Sequence, residues 1–259
     1  MLLTEFDPSE ADISPKAVQK RVYAIPKTAI TCFTEYSVQK AAETYNGQQI
    51  AECRDSNGPI PVYRIIYNGH ACALFMSKIG APTCVAQYEK MWAMGIERII
   101  TVGSCGLLDA HAPSAPIIIP TKAYRDEGTS YHYCEPSDFI SVNADNRMVD
   151  ALQGVLNTKH LKYMLGSTWT TDGLFRETQQ RVERFKDLGC VCVDMECSAL
   201  HAAAKYRGKE ILQFFYRDDS YTNEGWSGFH MKAIDRMNLE ATLLEVALEV
   251  GERLRKRVR

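Results

Sequence analysis

Two short stretches carry residue types that could act on a sugar and an anion. The first is Val102-Gly103-Ser104-Cys105-Gly106, which ends the β-branched apolar run Ile99-Ile100-Thr101. Its pattern predicts a buried strand delivering a tight Gly-x-x-Gly turn to a sheet edge. Glycines there let backbone N–H groups come close to an anion or a sugar. The second is Val193-Asp194-Met195-Glu196, two carboxylates around a methionine at an expected strand-to-helix junction. A carboxylate can accept two hydrogen bonds from a vicinal diol, and methionine offers a soft apolar floor. Helix macrodipoles also favour acids at helix starts. That explains either acid alone but not the whole segment.

Three more segments follow expected strands. Arg125-Asp126-Glu127-Gly128-Thr129-Ser130-Tyr131-His132-Tyr133 is dense in hydrogen-bonding groups and rings. It reads either as a site loop or as a solvated surface loop. In Thr170-Thr171-Asp172-Gly173-Leu174-Phe175-Arg176-Glu177-Thr178, Asp172 suits a turn cap and Phe175 a core position. Phe175 with Arg176 also suits stacking on, and hydrogen bonding to, a planar heterocycle. In Tyr216-Arg217-Asp218-Asp219-Ser220, the adjacent acids fit a helix cap. A partly buried one fits a general acid of raised pKa.

These segments need elements to carry them. Strands are expected at Thr28–Phe33, Ile99–Val102, Ala115–Ile119, Tyr163–Trp169, Cys190–Val193 and Ile211–Tyr216. Helices are expected at Glu35–Tyr45, from Pro82 to Met94, Asn143–Leu156, Thr178–Leu188, Met195–Tyr206 and His230–Arg255. Ile60–Tyr67 and His70–Met76 flank Asn68-Gly69, a strong hairpin dipeptide. The β-α-β order with an inserted hairpin predicts a single-domain α/β protein, a three-layer α/β/α sandwich with a mixed central sheet. Sites in such sheets form where strands end. Residues 1–27, with Pro8, Pro15 and Pro26, read as an N-terminal arm on the body or on a neighbouring subunit, ahead of a domain spanning 28–259.

At 46% hydrophobic and 24% charged, the 259 residues describe an ordinary globular chain. A net charge of −2 provides no basic field for nucleic acid or an anionic membrane, so any anion site is local. No apolar run reaches the roughly 20 residues of a membrane span. The nine cysteines fall mostly in apolar runs, with Cys32, Cys72, Cys105, Cys190 and Cys192 read as buried small hydrophobes. Cys190-x-Cys192 with Cys197 lacks zinc-knuckle spacing, so no metal is expected. The start Met1-Leu2-Leu3-Thr4-Glu5-Phe6 lacks a secretory pattern, and a reduced cytoplasmic compartment is expected.

Taken together, these segments resemble the nucleoside phosphorylase–uridine phosphorylase superfamily, which includes hydrolytic nucleosidases. Val102-Gly103-Ser104-Cys105-Gly106 resembles the phosphate loop of bacterial purine nucleoside phosphorylases. Arg125-x-x-Gly128-x-Ser130 with His132 resembles a uridine phosphorylase loop, and Thr171-Asp172 before an aromatic resembles the base-pocket motif. Val193-Asp194-Met195-Glu196 resembles the ribose motif, whose first acid is more often Glu. The likeness runs in order over residues 28–250.

The resemblance implies phosphate binding by Gly103 and Ser104. It implies ribose binding by Asp194, Met195 and Glu196, with Glu196 taking the hydroxyls. Phe175, Arg176 and Asp219 would lie at the base, with Asp219 and Glu196 catalytic. It implies phosphorolysis of uridine or a purine nucleoside to free base and ribose 1-phosphate. Inorganic phosphate would be co-substrate, with no cofactor, and the protein would be a homo-oligomer (a dimer, or a hexamer built as a trimer of dimers). Two departures stand out: Thr101 replaces an arginine before the phosphate loop, and Phe33-Thr34-Glu35-Tyr36 replaces a Gly-x-x-x-Arg loop. Arg54, Arg64, Lys78 and Arg125 are the candidate replacement cations. A hydrolytic nucleosidase using Glu35-activated water, or a non-catalytic nucleoside-binding protein, are the alternatives.

Overall fold

The computed structural model describes residues 5–108, 117–222, 224–228 and 231–256. In chain order the elements are α1 (Pro15–Val18), β1 (Thr28–Cys32), α2 (Glu35–Thr44), β2 (Gln48–Asp55), β3 (Gly58–Tyr67), β4 (His70–Met76), α3 (Ala81–Met94), β5 (Arg98–Leu107), β6 (Ile117–Asp126), β7 (Phe139–Ser141), α4 (Asn146–Thr158), β8 (Tyr163–Thr171), α5 (Gln179–Asp187), β9 (Cys190–Asp194), α6 (Cys197–Tyr206), β10 (Glu210–Thr222), β11 (Gly225–Ser227) and α7 (Ala233–Lys256). Positions 115 and 116 of the strand expected at Ala115–Ile119, and His230 of the last helix, lie outside the described residues.

Strand alternation divides the core into two apolar layers. Ile30, Leu74, Ile100, Val102, Leu212 and Phe214 face α2, α4 and α7. Ala29, Ala73, Phe75, Ile99 and Ile211 face α3 and α6. The expected mixed sheet between helix layers is therefore present, and it carries a twist in its topology. Strand β10 pairs in parallel with β5 and antiparallel with β6, and β6, β8, β9 and β5 continue the path back. Five strands thus close into a ring whose seam is the β5–β10 pairing. The hairpin turns at Asn68 (φ 47°) and Gly69 (φ 77°), the left-handed pair that a two-residue turn requires.

Several expected boundaries are corrected. Gly103-Ser104-Cys105-Gly106 is not a turn. Strand β5 runs on through Leu107, because β10 pairs with it on one side and Gly106 and Leu107 pair with Val193 and Cys192 on the other. Tyr216–Ser220 likewise lies inside β10 rather than after it, with a bulge between Arg217 and Asp219. Helix α6 starts at Cys197, leaving Asp194 on β9 and Glu196 as the N-cap position. Helix α4 starts at Asn146. Asn143 instead takes φ 50° and bridges elements, donating to the carbonyls of Pro120 and Gln213 and accepting from Gln213 N–H. Strands β2, β7 and β11 were not foreseen.

The described part of the arm lies on its own body. Val22 N–H donates to the Met94 carbonyl, Tyr206 Oη donates to Ser9 at 3.2 Å, and Phe6 meets the Tyr206 ring edge-on.

Candidate active site

Gly106 is where the site is assembled. It sits between Val193 of β9 and Asp219 of β10. A Cβ at this position would lie 2.8 Å from Asp219 Oδ1 and 3.1 Å from Val193 Cγ1. Glycine permits this close approach, because an added Cβ would push the Asp219 carboxylate aside. The antiparallel β5–β9 pairing also sends the chain after Val193 back alongside Cys105 and Ser104. Ser104 is exposed beside Tyr216 of β10, while Gly103 is buried against Phe33 and Phe215.

Asp194 and Glu196 have different jobs. Asp194 is buried and accepts four hydrogen bonds: from Thr168 Oγ1 (2.9 Å), Thr170 Oγ1 (2.9 Å), Glu196 N–H (2.8 Å) and Cys197 N–H (2.6 Å). It clamps β8 and caps α6, so the ligand contact that the resemblance implies for it has no oxygen left over. Burial still pushes its carboxyl above the usual range. Glu196 is 6% exposed, and its Oε1 accepts the Gly80 N–H at 2.6 Å. Gly80 holds φ 91° at the N-cap of α3, a conformation that favours glycine. The Met195 backbone N–H also hydrogen-bonds to the Glu196 carboxylate. Burial, then the Asp194 charge, raises the Glu196 carboxyl to about 8. Met195 beside it is half-buried.

The bulge in β10 explains the paired acids. An extra residue turns successive side chains apart from strict alternation. Asp218 meets Arg236 of α7 at 3.0 Å, and Asp219 faces Gly106 with its Oδ2 accepting Trp226 Nε1–H at 2.6 Å. On the loop after β8, Phe175 is 94% exposed and Arg176 is also exposed. The chain alone therefore builds no closed aromatic pocket around them. Asp172 accepts the Gly128 N–H at 3.0 Å, joining this loop to the Arg125 loop.

None of the replacement cations stands free beside Ser104. Arg54 pairs with Glu52, and Lys78 pairs with Asp55. Arg125 is buried on β6 and stacked on Tyr131, with Nε and Nη1 bonded to Ser130 Oγ, the Glu135 carbonyl and Ser137 Oγ, which pins the following loop, while its Nη2 has no partner among the described residues. Arg64 lies out on β3, between β2 and β4. Thr101 is fully buried in a neutral chain of hydroxyls, Thr31–Ser77–Tyr88–Thr101, with contacts of 2.7, 2.9 and 2.9 Å. Glu35 points outward and accepts from Gln39 at 3.0 Å. The carboxylate at the inner end of β1 is instead Glu240 of α7. It is buried and accepts from Thr34 Oγ1 (2.7 Å), Ser37 Oγ and Tyr216 Oη (2.6 Å). Sequence reasoning missed Glu240, because it lies on the last helix, far from the strand end it serves. Gly80 was missed because it is 116 residues from the Glu196 it holds, and Trp226 because β11, which places it over Asp219, was not expected.

A family model described as the phosphorylase superfamily matches residues 27–246. The chain belongs to the phosphorylase superfamily. It is 26% identical over 211 residues to a DeoD-type purine nucleoside phosphorylase of Haemophilus ducreyi, covering 80% of this chain and 85% of that one. Its fold is similar to uridine phosphorylase from Vibrio fischeri (TM-score 0.74, 22% identity, 93% and 98% coverage). It is also similar to purine nucleoside phosphorylase from Toxoplasma gondii (TM-score 0.76, 16% identity, 90% and 93% coverage). The expected family and α/β fold are thus both found. Among the described residues, no helix is long and apolar enough to cross a membrane.

Two outcomes follow for this superfamily member. Gly106→Ala forces Asp219 and Val193 apart. It should cost about 1–3 kcal/mol in denaturant melts, as overpacking does, and should lower ligand affinity with it. Glu196 binds more protons folded than unfolded, since its folded pKa lies above the ordinary 4.5. Its contribution to stability is therefore greatest near and below pH 4.5 and falls as pH rises to about 8. Glu196→Gln should flatten that decline in urea melts across this window.

Proposed function

We propose that the protein cleaves the N-glycosidic bond of a nucleoside by phosphorolysis, releasing the free base and ribose 1-phosphate. The observation that carries this reading is Glu196. Its carboxylate is fixed by the Gly80 N–H and the Met195 N–H, and it stands at the β9–α6 junction beside the Ser104 strand. That geometry suits a ribose hydroxyl pair. Cleavage builds positive charge on the sugar and negative charge on the base. A fixed carboxylate orients the sugar, an oxygen nucleophile approaches from the Gly103–Ser104 edge, and the base departs on the Asp219 side, with Phe175 and Arg176 over its mouth. The ligands are then a small nucleoside and phosphate, with no cofactor, and the exposed Phe175 suits a site finished by a second subunit of a homo-oligomer.

A second reading, hydrolysis, is favoured by one specific feature. The inner end of β1 offers the buried carboxylate Glu240 and the hydroxyls of Thr34 and Tyr216, where a phosphate dianion would be helped by cations. Its water would be oriented by this cluster rather than by the outward Glu35.

Product analysis with uridine, inosine and adenosine decides between them. Phosphorolysis requires phosphate and yields ribose 1-phosphate, whereas free ribose formed in phosphate-free buffer selects hydrolysis. Glu196→Ala should lower kcat/KM by roughly 10²–10³-fold, the scale for losing one oriented polar group, with the fold retained by circular dichroism. Undiminished turnover in that variant would remove the sugar assignment.

A further inference from the structure

Glu177 has no role in the preceding reading, yet its surroundings are specific. It follows Phe175 and Arg176 on the loop after β8 and is partly buried. Its Oε2 accepts the Tyr221 hydroxyl at 2.5 Å. Its Oε1 accepts no bond from any described residue. Tyr221 is buried on β10, two positions past Asp219, and pairs across the β10–β11 hairpin with Trp226. Trp226 in turn holds Asp219 Oδ2. The hairpin thus holds two carboxyls, Asp219 through the Trp226 indole N–H and Glu177 through the Tyr221 phenol.

The charged and titratable groups facing Glu177 are Tyr221 and Asp219 from β10 and Asp194 from β9. Burial raises its carboxyl to about 7. The Tyr221 hydrogen bond pulls the other way, and the Asp219 and Asp194 charges push it further up. An acid poised near the working pH is best matched to proton transfer.

We propose that Glu177 is the group that hands a proton to the departing base. The proposal rests on the reading of this crevice as a nucleoside-cleaving site. As the C1′–N bond breaks, its electron pair passes to the base nitrogen, and the Glu177 proton moves there from Oε1. The oxygen nucleophile bonds to C1′ and gives up a proton to solvent, and solvent returns one to Glu177. Asp219 contributes its charge beside Glu177, and Tyr221 fixes the carboxyl's orientation.

The test compares wild type, Glu177→Gln and Tyr221→Phe on inosine, uridine and p-nitrophenyl β-D-riboside, whose phenolate leaves without a proton. Wild-type kcat/KM on a nucleoside should fall as pH rises through about 7. Glu177→Gln should lose about 10²-fold or more on nucleosides, the scale of general acid catalysis, while retaining cleavage of the p-nitrophenyl substrate. Tyr221→Phe removes a bond that favours the ionised carboxyl, so its descending limb should move to higher pH. Equal losses on both substrate types, or wild-type rates with nucleosides, would overturn the assignment. If Glu177→Gln does not fold, an unmoved limb in Tyr221→Phe overturns it instead. A wild-type protein inert toward every riboside overturns both this and the underlying reading. Active wild type with an unaffected Glu177→Gln overturns this one alone.

Discussion

A missing side chain at Gly106 organises the site. Three strands from separate parts of the chain meet at that residue, and the carboxylate of Asp219 occupies the space a methyl would take. Closing the β5–β10 seam brings the bulged end of β10 against β5. The short antiparallel contact with β9 carries the chain back along Cys105 and Ser104 into Glu196. Glu196 and Asp219, the proposed sugar clamp and base-side carboxylate, are thereby both brought to the Gly106 region from separate strands. Asp194 makes the junction rigid through four hydrogen bonds, and the Gly80 and Met195 N–H groups fix the Glu196 carboxylate.

The crevice is acidic, and its acids differ by environment. Asp194 is fully engaged in structure. Glu196 and Glu177 are both pushed up by burial and by neighbouring negative charge, to about 8 and about 7. The arginines are engaged locally: Arg125 pins the loop after β6, Arg217 of β10 donates to Ser220 Oγ, and Arg236 answers Asp218. The neutral hydroxyl chain through Thr101 and the Glu240 cluster under Ser104's strand neighbour Tyr216 replace charge with hydrogen-bonding capacity. A sugar that becomes cationic in the transition state would draw the raised Glu196 carboxyl toward its ionised form.

Much of this was legible in the residues themselves. The Asn68-Gly69 hairpin, the Pro82–Gly95 helix limits and the apolar strands rest on local turn and capping chemistry, and the structure agrees. The carboxylate segment before α6 was likewise visible, because its acids, methionine and flanking apolar residues are contiguous. Local rules misread Gly103–Gly106 as a turn. Two glycines signal backbone freedom, but only the distant partners Val193 and Asp219 reveal that the freedom is used for close packing inside a strand. The polar run Arg217–Ser220 hid the second half of β10 in the same way, since a bulge and ring closure, not hydrophobic alternation, hold it in the sheet. Glu240, Trp226 and Tyr221 carry no local signature. Their importance comes from tertiary contacts alone.

The most direct measurement is a crystal structure with a non-cleavable nucleoside analogue bound. The ribose hydroxyls should lie within hydrogen-bonding distance of Glu196, the anomeric carbon should face the Ser104 edge, and the base should sit against Asp219 and Glu177. An analogue bound with its sugar away from Glu196, or outside the Gly106 crevice altogether, would contradict the account.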